Sequence, residues 1–251
     1  MNVVSEKFKT VEDKRRSNSS YQLADSLKSG FAMFSLKCPS LLSFKEQSKN
    51  EKLNLKSIYK IKKIPSDTAM REILDEVEPE KVRESFGDLF NLLIQSGLIK
   101  EYQYFDKQII VSVDGVEHFS STKIHCESCT TKTHRNGEVS YHHSALAAVV
   151  VHPGSREVFP LDFEPILRTD GVKKNDCERN AAKRLCERLH LEHPGLEVLL
   201  VEDALYANAP HIRQIRGYGW LYILNVKPDS HKALFAHFEG RPLPQRASQR
   251  I

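Results

Sequence analysis

Four consecutive apolar residues, Val198 to Val201, run with no polar alternation straight into the acidic pair Glu202 and Asp203. A strand without alternation is covered on both faces, the pattern of a central strand in a sheet flanked by helices. The segment therefore points to an α/β architecture. It also poses a problem, because an ionised carboxylate is costly to bury unless something pairs with it.

The flanking segments extend this frame. Before the strand, "KNDCERNAAKRLCERLHLEH" reads as a helix, with Asn175 and Glu178 as a capping pair and Ala181, Leu185 and Leu189 on one apolar stripe. Cys177 and Cys186, nine apart on that helix, are expected to pack, and Pro194 with Gly195 ends it. After the strand, Asn208 is expected to cap a short helix over "APHIRQIRG", and "WLYILNV" supplies a further strand. Upstream, residues 108–113 are rich in Ile and Val, and the Asp114–Gly115 pair turns or ends that strand. "YHHSALAAVVV" and "EVFPL", separated by the turn "HPGSR", give two more. The order strand, strand, strand, helix, strand, helix, strand matches a ribonuclease-H-like α/β fold. Its mixed sheet combines a three-stranded meander with two parallel strands joined through crossover helices. This domain is expected over 107–238.

Residues 21–106 read differently. In "TAMREILDEV" and "VRESFGDLFNLLIQSGLI" apolar residues recur every three or four positions, with Gly97 as a stop and Pro39, Pro65 and Pro79 as breaks. An all-helical region is expected there. Residues 1–20 are polar and expected to be disordered, as is the basic, Pro-containing tail at 239–251. Charge is uneven: residues 1–63 carry 14 Lys or Arg against 6 Asp or Glu, whereas 64–107 carry 5 against 10. A basic N-terminal third suits a polyanion such as double-stranded DNA, although a charge run is also what a solvated face looks like. The longest apolar runs, such as 145–151, fall far short of the roughly 18 residues that span a bilayer. Five cysteines make no disulfide framework and agree with a reducing, cytoplasmic setting.

In the predicted topology the first and fourth strands are parallel neighbours, which sets Asp114 and Asp203 facing each other at their carboxyl ends. Two carboxylates so close repel unless a hard cation lies between them, and magnesium or manganese is the natural occupant. Two such ions would serve phosphodiester chemistry. The bland alternative makes each aspartate a turn former or helix cap. Glu202 is expected to face the other side of its strand.

Five segments carry a resemblance: "FAMFSLKCPSLLSF" (31–44), "IPSDTAMREILDEVEP" (64–79), "VDGVEHFSSTKIHCESC" (113–129), "DGVKKNDCERNAAKRL" (170–185) and "VEDALYANAPHI" (201–212). Together, in this order, they resemble DDE transposases of bacterial insertion sequences, in the branch whose ribonuclease-H-like domain is interrupted by a β-rich insertion. The resemblance spans about residues 20–238. It implies Mg²⁺-dependent DNA cleavage and strand transfer at terminal inverted repeats, a homodimer on DNA, and Asp114 and Asp203 as the first two catalytic acids. It also implies a catalytic glutamate on a helix well beyond the fifth strand. The chain ends 48 residues after Asp203, so a truncated and catalytically impaired copy is expected, or a non-catalytic DNA-binding remnant. Glu239, with 35 residues between it and Asp203, is the weak candidate within the chain.

"HCESCTTKTH" adds a second constellation. Cys126 and Cys129 at C-x-x-C spacing, with His134 and either His142 or His143, would suit a structural zinc clipping a long hairpin whose tip is "RNGE". Reduced surface cysteines among loop histidines are the alternative, since no second C-x-x-C pair is present.

Overall fold

The computed structural model describes residues 1–16, 19–105, 107–168 and 177–238, so the tail expected at 239–251 lies outside the described residues. The chain divides into two compact units, Met1–Ile99 and Lys100–Ile251.

The first unit is helical: α1 (Asn2–Thr10), α2 (Leu23–Ser35), α3 (Leu41–Gln47), α4 (Lys52–Ser57), α5 (Asp67–Asp75) and α6 (Pro79–Gln95). Pro39 and Pro65 fall in the breaks and Pro79 opens α6, where its missing N–H is no loss. The hydroxyls of Ser40 and Ser66 accept from Ser43 N and Ala69 N and so cap α3 and α5. Gly97, at φ +76, provides the left-handed residue just past α6. The expected disorder at the N-terminus is corrected for residues 2–10, which form α1. Val4 and Phe8, one turn apart, are buried with Leu23, Leu27 and Ile73, and burying a side chain of that size is worth about 1.5–3 kcal/mol. A second cluster gathers Ala32, Phe44, Leu55, Tyr59, Ile61 and Met70. Within α2 a buried ion pair sets Lys28 Nζ 2.7 Å from Asp25 Oδ1, and residues 60–63 add to it: Lys28 Nζ donates to Lys60 O and Lys63 N donates to Asp25 Oδ2.

The second unit is α/β. Its elements are β1 (Gln103–Tyr104), β2 (Gln108–Ser121), β3 (Thr130–Thr133), β4 (Val139–Val151), β5 (Phe159–Ile166), α7 (Glu178–Glu192), β6 (Val198–Glu202), α8 (Ala209–Gly217), β7 (Leu221–Leu224) and α9 (Lys232–Phe238). They build one mixed sheet. β2 pairs antiparallel with β4, β5 lies antiparallel along the other edge of β4, and β6 runs parallel to both β2 and β7. β3 pairs with the start of β4. β6 is thus an inner strand, and Leu200 is 0% exposed, as its unbroken apolar run requires.

Two boundaries differ from the sequence expectation. β2 does not end at Asp114–Gly115 but continues to Ser121, because Asp114 and Gly115 keep their ladder partners Ala147 and Leu146 on the long strand β4. The N-cap of α7 is Cys177, without a side-chain cap bond, and Asn175 lies outside the described residues. Cys177 is exposed rather than packed, whereas Cys186 is buried. α7 docks on the sheet through its Ala181, Leu185 and Leu189 stripe. Arg184 bonds Glu164, while Arg188 bridges Asp162 and Glu164, at 2.6–2.7 Å. Among the described residues no helix is long and apolar enough to cross a membrane.

Candidate functional site

The parallel ladder between β2 and β6 pairs Ile109 with Val198 and ends at Ser112 with Val201. Two residues later come Asp114, still within β2, and Asp203, just past the end of β6. Both are exposed, Asp203 just past the carboxyl end of β6 and Asp114 midway along β2; the carboxyl ends of parallel strands are where α/β sheets place their ligands. Each carboxylate spends one oxygen on its own backbone: Asp114 Oδ1 accepts from Gly115 N and Asp203 Oδ1 from Leu205 N, both at 2.8 Å. The other oxygen of each faces no hydrogen-bond donor among the described residues. Hard oxygen donors of this kind suit Mg²⁺ or Mn²⁺. No third Asp, Glu, His or Cys among the described residues joins these two at mutual ligand distance, and Glu239 lies outside them.

The other acid of the pair answers the burial problem differently. Glu202 is 3% exposed, and its Oε2 lies 2.6 Å from His211 Nε2. α8 makes this possible, since Asn208 Oδ1 caps the helix by accepting from His211 N and so fixes the turn that carries the imidazole. Burial pushes the Glu202 carboxyl above the usual range, and the His211 hydrogen bond pulls it partly back. Its Oε1 is buried without a partner, which adds to the cost of the charged form. The same pocket holds the Cys186 thiol well above its ordinary pKa, chiefly by burial and then by the nearby Glu202.

Glu178 is an acid that sequence reasoning does not single out for the site. It is the first residue of α7, where a carboxylate suits the helix dipole. Tyr206 donates to its Oε2 at 3.3 Å, and a Cβ added at Gly115 would lie 3.0 Å from its Oε1. The glycine beside Asp114 thereby admits a carboxylate against the backbone of β2. Burial, followed by Glu178, Glu202 and Asp203, raises the Tyr206 phenol far above its normal value, so it stays a hydrogen-bond donor. The signal in the sequence is the Glu in "DCERN", which reads equally well as a helix-start residue. Alongside runs a groove of about 540 Å³ lined by Glu117, Thr130, Lys132, His142, Glu178 and Arg179.

The cysteine and histidine residues separate into two sets on opposite sides of β4. Cys126 Sγ and Cys129 Sγ are 3.7 Å apart, and each lies 3.3 Å from His143 Nε2. His142, the next residue on the strand, points the other way: its Nδ1 meets Glu117 Oε2 at 2.9 Å and its Nε2 meets Ser140 Oγ at 2.6 Å. His134 also bonds Ser140 Oγ, at 2.7 Å. Of the expected set, Cys126, Cys129 and His143 come together, and His134 does not join them. His134 belongs to the Ser140–His142 side, because the pleat sends residues 140 and 142 to one face and 143 to the other.

No protein-family model matches the sequence, and no curated protein matches it. Among solved structures the chain is similar to one described as "Crystal structure of a pre-cleavage Mos1 transpososome". The identity is 11% over 91% of this chain and 68% of that one, with a TM-score of 0.24. Values this low fix neither fold nor activity.

Proposed function

We propose that the α/β unit is a ribonuclease-H-like domain of the DDE transposase type, which binds double-stranded DNA at element ends and cuts phosphodiester bonds with Mg²⁺ or Mn²⁺. The observation that carries this reading is the parallel register of β2 and β6, whose last pair, Ser112 with Val201, stands two residues before Asp114 and Asp203. The strand order β5, β4, β2, β6, β7, with antiparallel then parallel pairing, is the order such a domain needs. The quoted sequence motifs name the same two acids.

Asp114 and Asp203 would hold the metal. When bound, it would activate a water or hydroxyl and stabilise the leaving oxygen. The chain's own contribution is placement. Strand register brings two acids to one edge, and the backbone bonds from Gly115 N and Leu205 N hold their side chains in place. The basic excess of residues 1–63 would neutralise phosphates.

A second reading is a non-catalytic DNA-binding protein that occupies element ends, and it is favoured by the lack, among the described residues, of a third carboxylate joining Asp114 and Asp203. Strand nicking on duplex DNA carrying the end repeats separates the two. Native protein with Mg²⁺ or Mn²⁺ is expected to nick and Asp203→Ala to be inactive. Equal nicking by both would refute the site assignment. Binding that falls steeply with salt, without nicking, would establish the second reading.

A further inference from the structure

We infer that Cys126, Cys129 and His143 form a zinc site, with His118 as the fourth ligand, which clips the β2–β3 connection onto β4. The three donor atoms are already at ligand spacing. Tetrahedral zinc with bonds of about 2.3 Å to sulfur and about 2.0–2.1 Å to nitrogen puts sulfurs about 3.8 Å apart and sulfur about 3.6 Å from nitrogen. The observed separations are 3.7 Å and 3.3 Å. Cys126, Cys129 and His143 form the one group of three or more such ligands at mutual ligand distance among the described residues.

The surroundings are those of a metal knuckle rather than of two idle thiols. Cys126 N–H points at Cys129 Sγ, 3.3 Å away, and Cys129 N donates to Cys126 O at the same distance, closing a tight turn. Backbone N–H groups aimed at sulfur stabilise thiolates and orient them, as outer-shell donors do in metal sites. Cys129 is 2% exposed. His143 sits on β4, paired with Phe119 of β2, so its backbone is held by the sheet.

The fourth corner follows from a fault in the ladder. Glu117 pairs with Ser144 and Phe119 with His143, which leaves His118 as an extra residue without a cross-strand partner. A bulge re-aims side chains out of the regular alternation. His118 lies beside the cluster, its ring centroid 6.0 Å from that of His143 and nearly parallel to it, and its ring nitrogens stand outside the mutual ligand distance shared by the other three. His134 and His142 are engaged with Ser140 and Glu117. The clip ties the connection Thr122–Cys129 to the strand that also lines the groove beside Glu178.

Metal content of the full chain, purified under reducing conditions without chelator, tests the site. About one zinc per chain is expected for the native protein, His134→Ala and His142→Ala. Cys129→Ser and His143→Ala are each expected to lose at least about 100-fold in affinity, beyond the cost of removing an outer partner. His118→Ala should weaken binding and open the site to water, whereas unchanged affinity would remove His118 from the ligand set. Because a ligand variant can misfold, native protein stripped by chelator and titrated with Co²⁺ gives an independent readout. Tetrahedral cobalt absorption with a sulfur charge-transfer band is expected, as is protection of the peptide bond after Lys123 from trypsin. Native protein without zinc and without that cobalt spectrum would overturn the inference.

Discussion

Glu202 and Asp203 are neighbours in the chain and meet the cost of a carboxylate in opposite ways. Glu202 is on the covered side of β6, buried, bonded to His211 and close to Cys186. Asp203 is at the open edge, exposed, and among the described residues its carboxylate is bonded only to the backbone of its own turn. A buried acid with its own imidazole partner has become part of the core, whereas an exposed acid can exchange solvent for a cation. Proximity in sequence thus says little about shared role. The pleat of the strand decides it, one residue at a time.

The contrast can be broken most forcefully at His211. His211→Ala would leave Glu202 buried with no partner for either oxygen, a defect expected to cost about 3 kcal/mol. Urea denaturation measures it through the midpoint at unchanged m-value. A loss below about 1 kcal/mol would mean that Glu202 is not held as described.

Glu202→Gln is the gentler probe, expected to cost about 1 kcal/mol at low pH through a poorer hydrogen bond. Its pH dependence carries the sign. Burial raises the folded-state pKa of Glu202, so above the unfolded carboxylate value of about 4.3 the native state holds a proton that the unfolded state releases. The native protein therefore loses stability from this group as pH rises through the folded-state value, and glutamine does not. Melting temperatures at pH 4.5 and 8 should show the gap between native and variant narrowing or reversing at the higher pH. A gap that widens with pH would contradict the raised pKa.

Much of this arrangement is legible in the sequence, and the gaps have physical causes. The unbroken run Val198–Val201 announces an inner strand, Asn208 announces the start of α8, and Gly97 follows α6 where periodicity stops. These signals are local. The partner of Glu202 is not, since His211 reaches it only because α8 folds back across the strand end. The choice among His134, His142 and His143 depends on which face of β4 each meets, and the separate bulge at His118 on β2 leaves no mark in the sequence. α1 escapes a sequence reading because two buried residues, Val4 and Phe8, are a faint stripe in a polar segment. Continuation of β2 past Asp114–Gly115 reflects the length of its partner strand, which a turn-forming dipeptide cannot reveal.

A smaller effect is expected at Gly115. An added methyl group would stand 3.0 Å from Glu178 Oε1, so Gly115→Ala should push that carboxylate aside and weaken its bond from Tyr206. The expected cost is about 1 kcal/mol, read from thermal or urea unfolding. Glu178→Ala should relieve the clash, making the double variant less destabilised than the sum of the two single changes. Strict additivity would place Glu178 elsewhere.

Least of all should stability respond to Asp203→Asn. The amide oxygen of asparagine can still accept from Leu205 N, so the turn after β6 survives, and an exposed substitution of this kind is expected to change stability by less than about 0.5 kcal/mol. What disappears is the negative charge. If Asp203 is a ligand, Mn²⁺ affinity measured by titration calorimetry should drop on the order of 10-fold or more while the urea midpoint stays in place. The same charge removal at Glu202 should leave Mn²⁺ binding unchanged while altering the pH profile of stability. A metal response at Glu202, or a large stability loss at Asp203, would show that the two sides of the strand do not divide the work as their burial indicates.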